Sequence, residues 1–212
     1  MQDLCIIIPT VNRKDLLMKA LESYTELMPE VTKLILDNGN QDIPCNDDNT
    51  WIWQSTQNLG VAASWNYLIG KAIVNDFKYF LILNDDVILQ KDEAQIRQIL
   101  SKGTPEHFYL CRPFYNWSSF ILTKKVYEKV GPFDENFKKA YFEDNDYMYR
   151  MRLGGVSIKY VDELNPDIYL NSQTLEKDPT LSGYVENREY FLQKWGGLPE
   201  SEKFKTPFNK QP

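Results

Sequence analysis

Nine consecutive residues, Leu81-Ile82-Leu83-Asn84-Asp85-Asp86-Val87-Ile88-Leu89, set an apolar triplet on either side of one amide and two adjacent carboxylates. The leading triplet has the composition of a strand buried on both faces, and the polar trio breaks it as a turn would. A chain that buries Leu81 to Leu83 must therefore bring two negative charges to the exposed end of a sheet. Those charges call for a positive partner. Oxygen-only donors suit a hard cation such as Mg2+ or Mn2+, held by one or two carboxylates with phosphate oxygens completing its shell. The plainer alternative is an ordinary polar turn after a strand.

The neighbouring stretches repeat this pattern. Leu4-Cys5-Ile6-Ile7-Ile8 is a continuous apolar run ended by Pro9-Thr10, and a helical pattern follows in Leu16, Leu17, Ala20, Leu21 and Tyr24. Val31 to Leu36 reads as a second strand closed by the turn formers Asp37-Asn38-Gly39-Asn40, and Trp51-Ile52-Trp53 as a short third. Asn58-Leu59-Gly60 then turns the chain into a helix carrying Val61, Ala62, Trp65, Leu68, Ile69 and Ala72, ahead of a strand ending near Leu83. Further on come a helix from Lys91 to Leu100, strands at His107 to Cys111 and Ser119 to Leu122, and a helix around Val126 to Val130. A helix opened by Glu143-Asp144-Asn145-Asp146 runs to about Leu153 and is stopped by Gly154-Gly155. Val156 to Val161 reads as the last strand, 165–182 as an irregular, polar lid or tail, and Val185 to Trp195 as a final helix.

Alternating strands and helices predict a single α/β domain, Rossmann-like, with a mainly parallel central sheet flanked by helices. We place it at residues 1–200, with 201–212 a tail or linker to further domains of a longer polypeptide. In such sheets ligands bind beyond the carboxyl ends of the strands. Pro9-Thr10, Asp37-Asn38 and Asn84-Asp85-Asp86 all fall at such ends.

Composition limits what can bind there. With 24 Lys+Arg against 30 Asp+Glu the net charge is -6, which argues against broad nucleic-acid binding through a basic surface. The apolar run near the N-terminus is too short and too acidic at its front for a signal peptide, and no run reaches the ~20 residues of a spanning helix. The expected setting is the cytoplasm, with no integral membrane segment. Three cysteines without metal-ligand spacing, Cys5, Cys45 and Cys111, are read as reduced and structural, and the single His107 excludes a His-rich zinc site.

Carboxylates at a helix N-terminus can be purely structural, and Asp146 can pair with Arg150 at i+4. One of them aimed into a cleft could instead take a proton from a substrate hydroxyl. Asp144 and Asp146 lie ~200° apart around the helix, which gives them different roles. Trp117 offers either an aromatic face for a sugar or a partly buried core ring. Trp51, Trp53 and Trp65 read as core, Trp195 as the anchor of the last helix, and Lys138-Lys139 as a solvated pair.

Taken together, these motifs resemble the GT-A glycosyltransferases of the inverting family-2 type, over nearly the whole chain. Ile6-Ile7-Ile8-Pro9-Thr10-Val11-Asn12-Arg13 is similar to the opening strand, Leu36-Asp37-Asn38-Gly39 to the second strand end, and Asn58-Leu59-Gly60 with Asn66 to the glycine turn and its helix. Asn84-Asp85-Asp86 resembles the DxD element. Gly131-Pro132-Phe133-Asp134-Glu135-Asn136-Phe137, Phe142-Glu143-Asp144-Asn145-Asp146 and Arg150 resemble the acceptor-side block, and Tyr190-Phe191 with Lys194-Trp195-Gly196-Gly197 also recurs. The compact length is similar to that of glycosyltransferase domains of large algal viruses.

The resemblance implies a metal-dependent inverting enzyme that moves a sugar from a nucleoside-diphosphate sugar, a UDP-sugar, to a glycan or glycoprotein hydroxyl. Thr10 and Asp37 would contact the base, Arg13 and Asn58 would line the nucleotide pocket, and Asn84 would stand at the head of the DxD-like turn. Asp86 would ligate Mn2+ or Mg2+, Asp85 would touch the ribose or the metal shell, and Trp117 the donor side. Asp144 would be the catalytic base, on a helix held by Asp146 and Arg150. Two departures stand out: Asn84 replaces the usual Asp, and Asp167-Ile168-Tyr169-Leu170-Asn171-Ser172 lacks the family's further His ligand, leaving Asp167, Asn171 or water for that place. Two rival readings are a nucleotidyltransferase, which would need a Gly-rich loop where Pro9-Thr10-Val11-Asn12-Arg13 has none, and a silent nucleotide-sugar-binding module.

Overall fold

The computed structural model describes residues 3–45, 47–89, 93–102, 104–111, 117–161, 174 and 177–210. Strands run over Leu4–Thr10 (β1), Thr32–Asp37 (β2), Thr50–Gln54 (β3), Tyr79–Leu83 (β4), His107–Leu110 (β5), Ser119–Thr123 (β6) and Ser157–Tyr160 (β7). They form one seven-stranded sheet in the order β3-β2-β1-β4-β6-β5-β7. The β1–β2, β1–β4, β2–β3 and β5–β7 pairs are parallel, while β6 runs antiparallel to both β4 and β5. Helices are Lys14–Leu27 (α1), Val61–Val74 (α2), Glu93–Lys102 (α3), Lys124–Val130 (α4), Glu143–Leu153 (α5) and Tyr184–Trp195 (α6).

The two-residue period of a strand divides β1 between two cores. Cys5 and Ile7 join the cluster formed with α2 and α5, and Leu4, Ile6 and Ile8 join the one formed with α1 and Ile96 of α3. Burial on both faces is what the uninterrupted apolar runs of β1, β2 and β4 require. A third cluster, Phe137, Phe142, Phe191 and Trp195, seats α6 beside the start of α5. The chain beyond α6 packs back: the Lys203 and Phe204 N–H groups donate to Trp195 O at 2.9 and 3.0 Å, and Tyr149 Oη donates to Phe204 O at 2.9 Å.

This topology concentrates polar ends on one edge. Thr10 is in register with Asp37, and β1 and β4 run side by side in the same direction, so both release their chains at the same edge. Because β6 runs the other way, it begins at that edge, and the Asn84 N–H donates to Ser118 O at 2.9 Å.

Candidate active site

Thr10 and the turn after β4 meet directly. Thr10 Oγ1 donates to Asp85 Oδ2 at 2.7 Å. Thr10 is 2% exposed, and Asp85 and Asp86 are each 8% exposed. The turn is closed by the Val87 N–H donating to Asn84 O at 3.2 Å. Thr10, Asn58, Asn84, Asp85 and Asp86 line one cleft together with Asn38, Gly60 and Ser64. Lys139, Ala140, Thr174 and Leu181 bring the C-terminal half of the chain to the same cleft.

Burial pushes the Asp85 carboxyl up to about 7, with the Asp86 charge acting in the same direction and the Thr10 hydroxyl and Arg13 opposing it. A carboxylate so placed ionises more readily beside a cation. The donor set here is oxygen only, which fits Mg2+ or Mn2+. Among the described residues no three His, Cys, Asp or Glu side chains gather into a cage. A cation completed by phosphate oxygens needs only one or two protein carboxylates. Asp167 and Asn171, considered above as a further ligand, lie outside the described residues.

The other expected donor-side residues take different positions. Asn58 lines the cleft and its Oδ1 accepts from the Gly60 N–H at 2.9 Å, a local bond that shapes the turn into α2. Arg13 is 5% exposed and its Nε donates to Asp15 Oδ1 at 3.0 Å. That bond, then the charges of Asp15, Asp85 and Asp86, hold the guanidinium above its ordinary pKa against the opposing effect of burial. Asp37 is fully buried; its Oδ1 accepts from the Gly39 N–H at 2.9 Å and from Gln41 Nε2 at 3.0 Å. Gln41 Nε2 also reaches Thr10 Oγ1 at 3.3 Å, so one amide bridges the two residues assigned to the base. Trp117 is 7% exposed, its ring packed against Trp65, Phe108 and Phe120 in the core rather than on the cleft. Its remaining edge faces a separate depression shared with Asn145 and Arg152.

The sequence places Asn38 at the ligand edge without a role for its side chain, and gives no sign of Ser64 or of Lys139 in the cleft. Asn38 Nδ2 donates to Ser64 Oγ at 3.0 Å, joining the end of β2 to α2 beneath the cleft. Lys139, read from sequence as one of a solvated pair, is exposed and also lines the cleft. Its carbonyl accepts from the Val61 N–H at 2.7 Å, and its Nζ donates to Thr180 O at 2.6 Å. The close approach explains Gly60: at φ +81 its missing Cβ would stand 2.7 Å from the Lys139 nitrogen.

Helix α5 begins at Phe142, whose left-handed φ of +70 turns the chain, and not at a side-chain cap. In its first turn Glu143 is 6% exposed, with Oε2 making no hydrogen bond, and Asp144 is half-buried. Burial raises both carboxyls above the ordinary range, Glu143 further through the adjacent Asp144 charge. Asp144 Oδ1 accepts from the Asn145 N–H at 2.8 Å.

Asp146 points the other way, as the helical phase predicts. Fully buried, its Oδ1 forms an ion pair with Lys194 Nζ at 2.6 Å and accepts from Trp195 Nε1 at 2.8 Å, and its Oδ2 accepts from Arg150 Nε at 2.8 Å. Lys194 also reaches Asp134 Oδ2 at 2.7 Å, which Tyr190 Oη approaches at 2.9 Å. The expected Asp146–Arg150 pair is therefore part of a wider network tying α5 to α6 and to the turn at Asp134.

That network carries a pH dependence. Burial pushes Asp134 up, but Lys194, the Asn136 N–H and Tyr190 together outweigh it and hold the carboxyl at about 2, against 3.8 for the free group. A carboxyl depressed by folding stabilises fully above its unfolded value and loses that contribution as pH falls from 3.8 towards about 2. Discounted for solvent, the contribution is on the order of 1–2 kcal/mol. Urea unfolding of wild type and Asp134→Asn should show a stability gap that narrows below pH ~4. A gap of constant size down to the acid limit would contradict this.

No family model matches the chain. Over 78 residues it is 35% identical to a galactofuranosyl glycosyltransferase of Leishmania donovani, a match covering 36% of this chain and 18% of that protein. Among solved structures it is similar to residues 1–349 of S. aureus TarS, with a TM-score of 0.62 and 16% identity over 76% of this chain and 58% of that one. The catalytic domain of Drosophila β1,4-galactosyltransferase 7 with xylobiose gives a TM-score of 0.53 at 10% identity, covering 76% of this chain and 66% of that one. A putative nucleotide-diphospho-sugar transferase of Desulfovibrio desulfuricans G20 gives 0.55 at 10% identity, covering 76% and 80%. TarS was also solved with UDP-GlcNAc, and a mutant of the Drosophila enzyme with manganese, UDP-Gal and xylobiose. The seven-stranded, mostly parallel sheet flanked by helices is the GT-A glycosyltransferase fold.

Proposed function

We propose that the chain is a metal-dependent inverting glycosyltransferase of the family-2 type that moves a sugar from a UDP-sugar to a hydroxyl of a glycan or glycoprotein. The observation that carries this reading is the meeting of Thr10, Asp85 and Asp86 in a cleft at the carboxyl ends of β1 and β4, with Ala140 of the loop into α5 on the same cleft. Similar folds solved with UDP-GlcNAc, or with manganese and UDP-Gal, support the choice of donor.

Asp86 and Asp85 would hold Mn2+ or Mg2+, and the bound cation supplies positive charge to the diphosphate leaving group. The rest of the chemistry falls to the chain itself. Thr10 fixes the Asp85 carboxylate, and Asn58 with Gly60 shapes the wall that the nucleotide lies against. Asp144 takes the proton of the acceptor hydroxyl on a carboxylate oxygen, and its raised pKa suits it to that transfer. The acceptor oxygen attacks the anomeric carbon on the face opposite the departing nucleoside diphosphate, which inverts the configuration.

Calorimetric titration of UDP with Mn2+ and with chelator tests the donor half. Asp86→Ala should weaken UDP binding ~10-fold or more in Mn2+ and leave the chelated affinity nearly unchanged, as loss of a metal ligand does. A variant that keeps the full Mn2+ advantage would contradict the assignment.

A further inference from the structure

We propose that Tyr141 and Tyr184 form an aromatic platform that receives a sugar ring of the acceptor, a proposal that rests on the glycosyltransferase reading above. Tyr141 is 38% exposed and Tyr184 is 50% exposed. Their rings meet edge to face with centroids 5.6 Å apart, and Phe142 supports Tyr184 at 5.4 Å. Ala140, next to Tyr141 in the chain, and Leu181, three residues before Tyr184, both line the donor cleft.

The backbone shows that this presentation is held in place. Lys139, Tyr141 and Phe142 take φ of +59, +85 and +70, a region that disfavours bulky residues and persists only where surroundings over-determine it. Here the surroundings are Asn187, 1% exposed on α6. Its Oδ1 accepts from the Lys138 N–H at 2.9 Å, and its Nδ2 donates to the carbonyls of Lys138, Ala140 and Tyr141 at 2.8, 3.1 and 2.8 Å. The Gly183 N–H donates to Ala140 O at 3.2 Å, and a Cβ on Gly183 would stand 2.2 Å from Lys138 O. The loop and the start of α6 are thereby clamped together, which holds the backbone of the two tyrosines in one arrangement. One result is that Phe142 enters the apolar cluster with Phe191 and Trp195 while Tyr141 turns outward, three residues before Asp144.

An exposed aromatic pair at the loop that leads into α5 suits a saccharide. A pyranose offers an apolar C–H face to a ring and hydroxyls to a phenol, and rigid tyrosines give such contacts at low entropic cost. Trp117, which the sequence offers as an aromatic face for a sugar on the donor side, has its ring in the core.

Saturation-transfer NMR on a panel of methyl pyranosides and methyl furanosides tests the platform, with calorimetry of UDP and Mn2+ run on the same samples. Wild type should transfer saturation to the ring C–H protons of at least one glycoside. Tyr141→Ala and Tyr184→Ala should each weaken that glycoside ~10-fold, Tyr141→Phe should keep it, and UDP affinity should stay at the wild-type value in all three, which also shows that they fold. Wild type that binds no glycoside, or alanine variants that bind it as wild type does, would overturn the platform. Failure of wild type to bind UDP would count against the donor-site reading instead, so the two failures are distinct.

Discussion

Asp144→Asn should lower the proposed sugar transfer by ~10²–10⁴-fold while leaving UDP-sugar affinity within a factor of about two, the pattern of a lost proton acceptor. The amide has the size of the carboxyl, and its oxygen can still accept from the Asn145 N–H, so the first turn of α5 is preserved. What it cannot do is take a proton. The same role fixes the pH profile. Burial raises the Asp144 carboxyl, so with Asp144 as the base the acid limb of kcat/KM should lie above the ordinary carboxylate range near pH ~4, and transfer should fall as pH drops through it. Product quantification over pH, beside calorimetry of the donor, measures both effects. Equal loss of donor binding and turnover would show that Asp144 shapes the donor site.

Asp146→Ala has the largest expected effect on stability, a loss of ~3–5 kcal/mol, because it strands buried cations that the carboxylate now pairs. Lys194 is 5% exposed, and without Asp146 it keeps only Asp134 as a carboxylate partner. Trp195 Nε1 and Arg150 Nε lose their acceptor outright. At ~2–4 °C per kcal/mol for a chain of this size, the midpoint should fall by ~6–20 °C. Lys194→Met removes the other end, and a double-mutant cycle with Asp146→Ala should return a coupling of ~1–3 kcal/mol. Losses below ~1 kcal/mol in both singles would place the pair among contacts of little net worth.

The donor side of this arrangement is legible in the sequence because parallel strands buried on both faces leave unbroken apolar runs, and the polar residues ending those runs mark one edge. Leu4 to Thr10 and Leu81 to Asp86 are read almost as they fold. The direction of β6 is not legible, since Ser119 to Leu122 has the same composition whichever way it pairs. Asp37 shows a second blind spot: at a strand end, a carboxylate poised for a ligand and one bound by the next loop have the same local sequence, and here Gly39 and Gln41 engage it. Lys139 was hidden for a longer-range reason. Its place in the cleft depends on a left-handed loop held by Asn187, 49 residues from Lys138. Likewise, the resemblance drew attention to Lys194-Trp195, but only the fold brings Lys194 to Asp134 and Asp146. Trp117 left two readings open, and packing against Trp65, Phe108 and Phe120 gives its ring to the core.

The most direct test of the central claim is release of UDP from a panel of UDP-sugars in Mn2+, followed with and without added glycosides, on wild type and Asp144→Asn. Wild type should release UDP from at least one donor, a glycoside should accelerate the release, and Asp144→Asn should abolish the accelerated part. Wild type that binds UDP in Mn2+ yet releases none from any donor would contradict it, and would make the cleft a nucleotide-sugar-binding site without transfer.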